Sequence, residues 1–210
     1  MASIVQICNM ALGYLNHGIR IDDIDEDSNE ADQCRLYYET SRDAVLRGFA
    51  WNFAMRYETL AELDDDPISP QWAVMYGYPS DCLAVRAILP EAVAGVSNKY
   101  EIANLSGTTR VIMCNVGDAT CRYTMKVTDP TLFDAEFVRA LAWHLASELS
   151  VILTGSVQTK QMAETQYRNV INAAWVSDGS EGLPDAAPDA EWIRAAYSSS
   201  LLEDRLKIAT

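Results

Sequence analysis

The segment SNEADQCRLYYETSRDAVLRGFAWNFA, residues 28–54, joins a long amphipathic pattern to a short cluster of aromatic residues. Small and apolar residues recur there at steps of three and four, the spacing of a helix-packing seam, at Ala31, Cys34, Tyr38, Ser41, Val45 and Gly48. This spacing predicts a helix over about 28–49. Ser28 or Asp27 is the candidate N-cap of this helix, since a side-chain oxygen there can accept from the first free amides.

The aromatic cluster follows directly, as Phe49, Trp51 and Phe53. Three rings within five residues predict a hydrophobic plug that seals the base of a helical pair. A cofactor-stacking role is the alternative, but nothing else in the sequence points to a cofactor.

A first helix is predicted upstream, over residues 3–15. Its apolar face recurs at helical spacing, at Ile4, Ile7, Cys8, Ala11, Leu12 and Leu15. Ser3 followed by Gln6 matches a capping box, and Asn16 and Gly18 can end the helix in left-handed geometry. The first two helices are therefore expected to form an antiparallel hairpin.

Two more helices are predicted in the second half of the chain. Asp129-Pro130-Thr131 opens the third, which runs to about Leu153 and ends at Gly155-Ser156. Its apolar stripe consists of Phe137, Leu141, Leu145, Leu149 and Ile152. The fourth helix spans about 157–176, with four residues facing inward: Ala163, Tyr167, Val170 and Ala174. These two helices are expected to form a second hairpin.

Short segments rich in β-branched residues lie between the two helical parts. They are predicted as strands at 83–89, 100–103, 109–114 and 119–127. Pro79-Ser80-Asp81, Ser106-Gly107 and Val116-Gly117-Asp118 are predicted turns. The last turn indicates a hairpin that sets Val111 and Met113 opposite Tyr123 and Met125.

The predicted fold class is α+β, mainly α, with about four helices in a bundle and an inserted small antiparallel β region. Residues 1–66 and 129–176 form the helical bundle domain, and 67–128 form the insert. Residues 177–210 contain Gly, Ser and Pro near their start and are predicted as a C-terminal arm, with a short helix near 189–197.

The charge is strongly acidic, with 30 acids against 16 bases and a net charge of −14. Residues 1–66 carry 14 acids and 5 bases, residues 67–130 carry 5 of each, and residues 131–210 carry 11 and 6. No basic run is present, and a free nucleic-acid binder needs a basic footprint. The acids form either a solvated, solubilising face or a surface that repels phosphate.

Five scattered cysteines, an odd number, favour free thiols in a reducing compartment. Cys8 and Cys34 fall on apolar helix faces, where a thiol acts as a small core residue. The start of the chain lacks the basic residues of a signal peptide, and no run of 18 apolar residues predicts a membrane span.

The sequence predicts no catalytic, cofactor-binding or metal-ligating residues. Asp23, Asp25 and Asp27 have the start of a calcium-loop spacing, but Ser28 and Cys34 stand where that loop needs Gly and Glu. Asp64-Asp65-Asp66 favours a solvated turn.

The two histidines do not change this expectation. His144 is predicted as a partly buried residue of the third helix, and His17 as an exposed residue at the end of the first. No phosphate-cradling or nucleophile motif occurs. Scattered carboxylates that meet in the fold would be the remaining route to an enzyme.

Three motifs in this order resemble the tail tubular protein A family, the head-to-tail adaptor or gatekeeper of short-tailed bacteriophages. They are Cys8-Asn9-x-Ala11-Leu12, Trp51-Asn52-Phe53-Ala54 and Pro79-x-Asp81-Cys82-Leu83. The resemblance covers about residues 4–90. It departs at Leu15-Asn16, where many relatives have Leu-Gly, although Asn also tolerates left-handed geometry.

The resemblance implies a structural virion protein without enzymatic activity, made in the host cytoplasm. Members form a dodecameric ring that binds the portal protein above and the tail nozzle below. Double-stranded DNA passes through the ring without specific binding, and no membrane is involved. Acidic channel walls fit that role, because they do not retain phosphate as basic walls would.

Two alternatives remain besides an enzyme. One is another phage connector, such as a stopper or head-completion protein. The other is a soluble acidic interaction module that mimics DNA, for which regularly spaced surface acids would be expected.

Overall fold

The computed structural model describes residues 2–16, 18–90 and 98–181, with side chains described up to residue 175. It contains four α-helices: α1 Ile4–Tyr14, α2 Asn29–Gly48, α3 Ala135–Thr154 and α4 Val157–Glu181. In the part of the chain that the structure describes, helices make up 46% of the residues and strands 22%, so the predicted α+β, mainly α class is confirmed.

The ends of α1 and α2 are set by the predicted local signals. Ser3 Oγ accepts from the Gln6 amide at 3.1 Å, and Ser28 Oγ accepts from the Ala31 amide at 3.2 Å. Asn16, just after α1, has a φ of 56°, so Asn rather than Gly takes the left-handed position. Both N-caps are therefore confirmed, with Ser28 rather than Asp27 capping α2.

The helices are centred on α3, which packs closely along both α1 and α2. The predicted α1–α2 hairpin is therefore wrong as the main packing arrangement. The predicted pairing of α3 with α4 is supported, because the His144 ring of α3 lies 5.1 Å from the Tyr167 ring of α4. Phe137, Leu141, Leu145 and Leu149 of α3 are fully buried, because this helix has neighbours on more than one side. Ile152 is exposed instead of buried, since the stripe continues in steps of four to Leu153 and leaves it outside.

The start of α3 also differs from the prediction. Asp129 begins only a 3₁₀ turn, Pro130–Leu132, and α3 itself is capped by Asp134. Asp134 Oδ1 accepts from the Phe137 amide at 2.6 Å. The end is as predicted, at Gly155 with a φ of 67°.

Six strands lie between α2 and α3: β1 Met55–Thr59, β2 Val74–Gly77, β3 Cys82–Leu89, β4 Tyr100–Leu105, β5 Thr109–Cys114 and β6 Thr120–Met125. They form two three-stranded antiparallel sheets, ordered β1-β6-β3 and β2-β5-β4. Side chains from both sheets share one apolar cluster, to which β5 contributes Ile112 and β6 contributes Tyr123.

The predicted β5–β6 hairpin is wrong. The turn at Val116-Gly117-Asp118 carries the chain from one sheet to the other, so β5 and β6 pair with different strands. Val111 and Met113 pack on the outer side of their sheet, with Trp72. By contrast, Ser106 and Gly107 form the predicted turn between β4 and β5, both with positive φ.

The β region starts at Met55, earlier than the predicted boundary at 67. β1 reads Met-Arg-Tyr-Glu-Thr, without the alternating apolar pattern of a half-buried strand, because it is an edge strand of its sheet. β2 was also missed by the sequence, since it has only four residues.

The aromatic plug is confirmed as part of the helical core. Trp51 is buried and donates from Nε1 to the Val45 carbonyl at 3.0 Å. Its ring meets Phe137 edge-on at 5.2 Å and Phe49 at 4.8 Å. The plug thus joins the end of α2 to the start of α3.

Helix α4 continues to Glu181, past the predicted end at 176. Ala163, Val170 and Ala174 are buried as predicted, and Tyr167 is half-buried. Residues 1–174 form one compact unit that holds both the helices and the sheets, and a second unit begins at Trp175. The predicted arm beyond 181, with the short helix near 189–197, lies outside the described residues.

Within the described ranges, α3 is the single helix whose length and composition would suit a membrane span. More than half of that stretch, 56%, is buried inside the protein. This is the burial expected of a core helix.

Candidate functional site

The acidic loop, residues 22–27, lies at the N-terminal end of α2. Glu26 Oε2 accepts from the amides of Asp22 at 2.8 Å and Asp23 at 3.3 Å, and Asp23 Oδ1 accepts from the Asp25 amide at 2.9 Å. Hydrogen bonds from the Ser28 hydroxyl and from the amides of Asp22 and Asp23 hold the pKa of Glu26 below its usual range. Asp23 of the calcium-loop candidate and the neighbouring Glu26 are therefore engaged by the loop's own backbone.

The base of the acidic loop is fixed to α1 by Asn9. Its side-chain amide donates to the Ile21 carbonyl at 2.8 Å, and its Oδ1 accepts from the Ile21 amide at 2.9 Å. Ile21 itself is buried. Hydrogen bonds to Asn9 therefore fix the position of the acidic loop. Its aspartates remain exposed: Asp22, Asp23, Asp25 and Asp27.

The opposite end of α2 is tied to the sheet β1-β6-β3 by Arg86 of β3. Arg86 Nη2 donates to the carbonyl of Arg47 at 2.9 Å and of Phe49 at 2.8 Å, and Nε donates to Thr124 Oγ1 at 2.8 Å. These carbonyls are among the unpaired acceptors that every helix end leaves. Burial lowers the pKa of Arg86, which nevertheless stays charged in this environment.

Two further arginines flank Tyr78 beside this junction. The Arg110 guanidinium lies 4.0 Å from the centre of the Tyr78 ring, and Arg47 donates to the Leu83 carbonyl at 3.3 Å. Burial raises the pKa of Tyr78 to about 12, while Arg110 and Arg47 act to lower it. Both arginine side chains are exposed.

Arg122 of β6 completes this group, which we call the arginine surface: Arg47, Arg86, Arg110 and Arg122. Arg47 and Arg122 are both close enough to Arg86 to disfavour its charge. The Arg122 Nε atom is buried and has no hydrogen-bond partner among the described residues. Within that part of the chain, none of the four comes within 4.0 Å of a carboxylate oxygen.

A second polar cluster binds the three strands of the same sheet to one another. The Tyr123 hydroxyl lies 2.8 Å from Glu58 Oε2 and 2.8 Å from Asp81 Oδ1, and Arg56 donates to Asp81 at 2.9 Å. Burial and the two carboxylates raise the pKa of Tyr123, so it remains protonated. These carboxylates therefore act as acceptors that anchor β1 and the start of β3 to β6.

His144 is a half-buried residue of α3, as predicted. Its ring lies edge-on to Tyr167 with 5.1 Å between ring centres. Burial lowers its pKa, against the nearby Glu148 and Glu164, which act to raise it. His17 lies outside the described residues.

The five cysteines are all buried free thiols, as the sequence predicted for Cys8 and Cys34. The neighbouring Cys34 thiol and burial raise the pKa of Cys8, so it stays protonated. In the ranges that the structure describes, no group of three or more His, Cys, Asp or Glu side chains is placed to hold a metal ion. Asp64, Asp65 and Asp66 are exposed, as expected of a solvated turn.

Comparison with known proteins gives no assignment: no protein family matches this chain, and no curated protein matches it in sequence.

The sequence marks Asp23, Asp25 and Asp27 of the acidic loop as a cluster of acids, but it gives no sign of the arginine surface. Its four members come from α2, β3, β5 and β6, and successive members are separated by between 12 and 39 positions in the chain. No local run marks them, and the fold alone brings them together. The one available signal was the neutral charge balance of residues 67–130 in an otherwise acidic chain.

Proposed function

We propose that this chain is the subunit of a head-to-tail connector, the ring that joins the portal of a short-tailed bacteriophage to its tail nozzle. In that position the ring forms part of the channel in which packaged DNA is retained and through which it is ejected. The chain acts as a structural virion protein and carries out no catalysis.

The observation that supports the proposal most is where the resembling motifs lie in the fold. Asn9 of the first motif holds the acidic loop, and Trp51 of the second joins α2 to α3. Asp81 of the third accepts from Tyr123 and Arg56 and anchors the strands. Each motif thus supplies a residue that connects two elements, as expected if the resemblance reflects a shared fold rather than chance.

The charge distribution also favours a channel protein. The chain carries 30 acids against 16 bases, a net charge of −14. A ring of such subunits repels phosphate, so that DNA passes without the counterion release that drives binding to basic surfaces. Acids are clustered at loops, as in residues 22–27 and 64–66, which argues against a DNA mimic with regularly spaced surface acids.

A ring subunit must also transmit load between its neighbours. Residues 1–174 form one compact unit whose core runs through α3 from the aromatic plug to the last turn of the helix. Such a continuous core suits a subunit that must keep its shape while DNA passes under pressure.

The copy number in purified phage particles tests the proposal. We expect quantitative mass spectrometry of salt-washed virions to find this chain in a one-to-one ratio with the portal protein. A chain that is present in infected cells but absent from washed virions would contradict a structural role. A ratio far below that of the portal would favour a stopper or completion protein of different stoichiometry.

A further inference from the structure

The acidic loop and the arginine surface lie at opposite ends of α2. The loop ends at Ser28, the N-cap of α2, and the arginine surface begins at Arg47, one residue before the helix ends. A helix of 20 residues is about 30 Å long. Within one copy the two surfaces are therefore too far apart to meet.

The arginine surface has unused capacity to bind an anion. Arg86 donates from Nη2 to backbone carbonyls and from Nε to Thr124 Oγ1, so it mainly contributes positive potential to this surface. Arg47 and Arg110 are exposed; the Arg110 guanidinium lies 4.0 Å from the centre of the Tyr78 ring, and Arg47, which donates to the Leu83 carbonyl, is close enough to act electrostatically on Tyr78. A carboxylate placed between them would meet donors from both.

We infer that the arginine surface of one copy binds the acidic loop of the next copy. This inference rests on the proposed ring and identifies the two faces that close it. A contact between different faces of identical subunits is heterologous, and such contacts form a ring when the rotation closes. Arg47 and Arg110 receive the exposed carboxylates of Asp22 and Asp27.

The chain itself favours a second copy over DNA as the occupant. Residues 1–66 supply nine more acids than bases, and most of this excess lies in or next to the acidic loop. A duplex approaching the arginine surface would meet the net charge of −14, whereas the acidic loop carries its own complementary charge. The loop is also held by Asn9 and Glu26, so little ordering entropy is lost on docking.

Disulfide trapping between two singly substituted chains tests the contact. One chain carries Asp27→Cys and the other Arg110→Cys, and they are mixed under a mild oxidant. The native cysteines are buried and leave the new thiols as the reactive pair. We expect the crosslinked heterodimer to form several-fold faster than with the matched control Asp27→Cys plus Gln158→Cys, whose new thiol lies at an exposed position of α4.

Charge reversal provides a second test of the contact. Adding Arg47→Glu to the Arg110→Cys chain replaces attraction with repulsion, and we expect trapping to fall by about tenfold or more. Adding Asp22→Lys to the Asp27→Cys chain is expected to restore the trapping, because opposite charges then face each other again. The charge-matched control Glu39→Lys, at an exposed position on α2, restores nothing.

Three outcomes would overturn the inference. The first is trapping equal to the Gln158 control, and the second is trapping that does not respond to Arg47→Glu. The third is duplex DNA binding that is lost in the Arg47→Glu, Arg110→Glu variant, which would make the surface a phosphate site. If rings assemble on a portal but the disulfide is not trapped, only the proposed contact is contradicted. If the disulfide is trapped but no ring assembles on the portal, the proposed function is contradicted.

Discussion

Phe137 and Tyr123 are both fully buried aromatic residues, but they are held in different ways. Phe137, in the helical core, packs its ring edge-on against Trp51, Phe53 and Phe133. Tyr123, in the β region, has its hydroxyl between Glu58 and Asp81. The helical core is therefore stabilised mainly by apolar packing, whereas the β region adds to its apolar clusters polar side chains that connect its strands to each other and to α2.

This difference predicts how each region responds to substitution. An apolar core loses stability in proportion to the cavity that a truncation leaves. A polar connection fails when one partner is removed, because the remaining buried donors and acceptors are left unpaired. Since residues 1–174 form one compact unit, both kinds of damage are expected to appear in a single unfolding transition.

The largest effect is expected for Phe137→Ala. The variant removes a fully buried ring with three aromatic neighbours, and we expect the free energy of unfolding to fall by about 3–5 kcal/mol. Urea titration followed by circular dichroism measures it. Leu132→Ala, at an exposed position before α3, is the matched control and should change it by less than about 0.5 kcal/mol. A loss of under 1 kcal/mol in Phe137→Ala would contradict an apolar core built around α3.

Arg86→Met is expected to come next. It keeps the length of the side chain but removes the donors to the Arg47 and Phe49 carbonyls and to Thr124, and we expect a loss of about 2–3 kcal/mol. Arg110→Met removes only a solvent-facing contact with Tyr78 and should cost about 1 kcal/mol or less. Equal losses in the two variants would show that Arg86 does not connect α2 to the sheet.

A smaller effect is expected for Asp134→Ala. The variant removes the N-cap acceptor of α3 and should cost about 1 kcal/mol. Asp134→Asn keeps an oxygen acceptor and should recover most of the loss. If Asp129→Ala proved the more damaging change instead, the 3₁₀ turn rather than Asp134 would set the start of α3.

The smallest effect concerns pH. Burial lowers the pKa of His144 below its ordinary value of 6.5, so the unfolded chain binds the proton more readily than the folded chain. Stability should therefore fall as the pH decreases below about 6.5 and level off once the folded-state pKa is passed. His144→Gln should remove this part of the pH dependence, measured by urea titration between pH 7.5 and pH 5, roughly the range in which histidine titrates. A His144→Gln profile identical to that of the native chain would contradict it.

The two regions also differ in how much of them the sequence could predict. Helix ends depend on neighbours a few positions away, so Ser3, Ser28 and Gly155 were identified correctly. The exception is the start of α3, where two aspartates lie five positions apart: Asp129 caps only the 3₁₀ turn, and Asp134 caps the helix.

Strand pairing depends on contacts between distant positions, and here sequence reasoning failed. Individual strands were located from composition, but β5 was paired with the wrong partner because a short turn suggests a hairpin whether or not the chain changes sheets. Arg86 and Tyr123 gave no sequence signal, since their partners lie 37 to 65 positions away. The arginine surface was not predicted for the same reason, since its members also lie far apart in the chain.

Light scattering of the purified chain, with and without the portal ring of its proposed phage, tests the connector proposal most directly. We expect the portal particle to gain the mass of about twelve chains, at 23.3 kDa each. A free chain that stays monomeric until the portal is added is compatible with this result. A chain that remains monomeric in the presence of the portal and adds no mass to it would contradict the connector function.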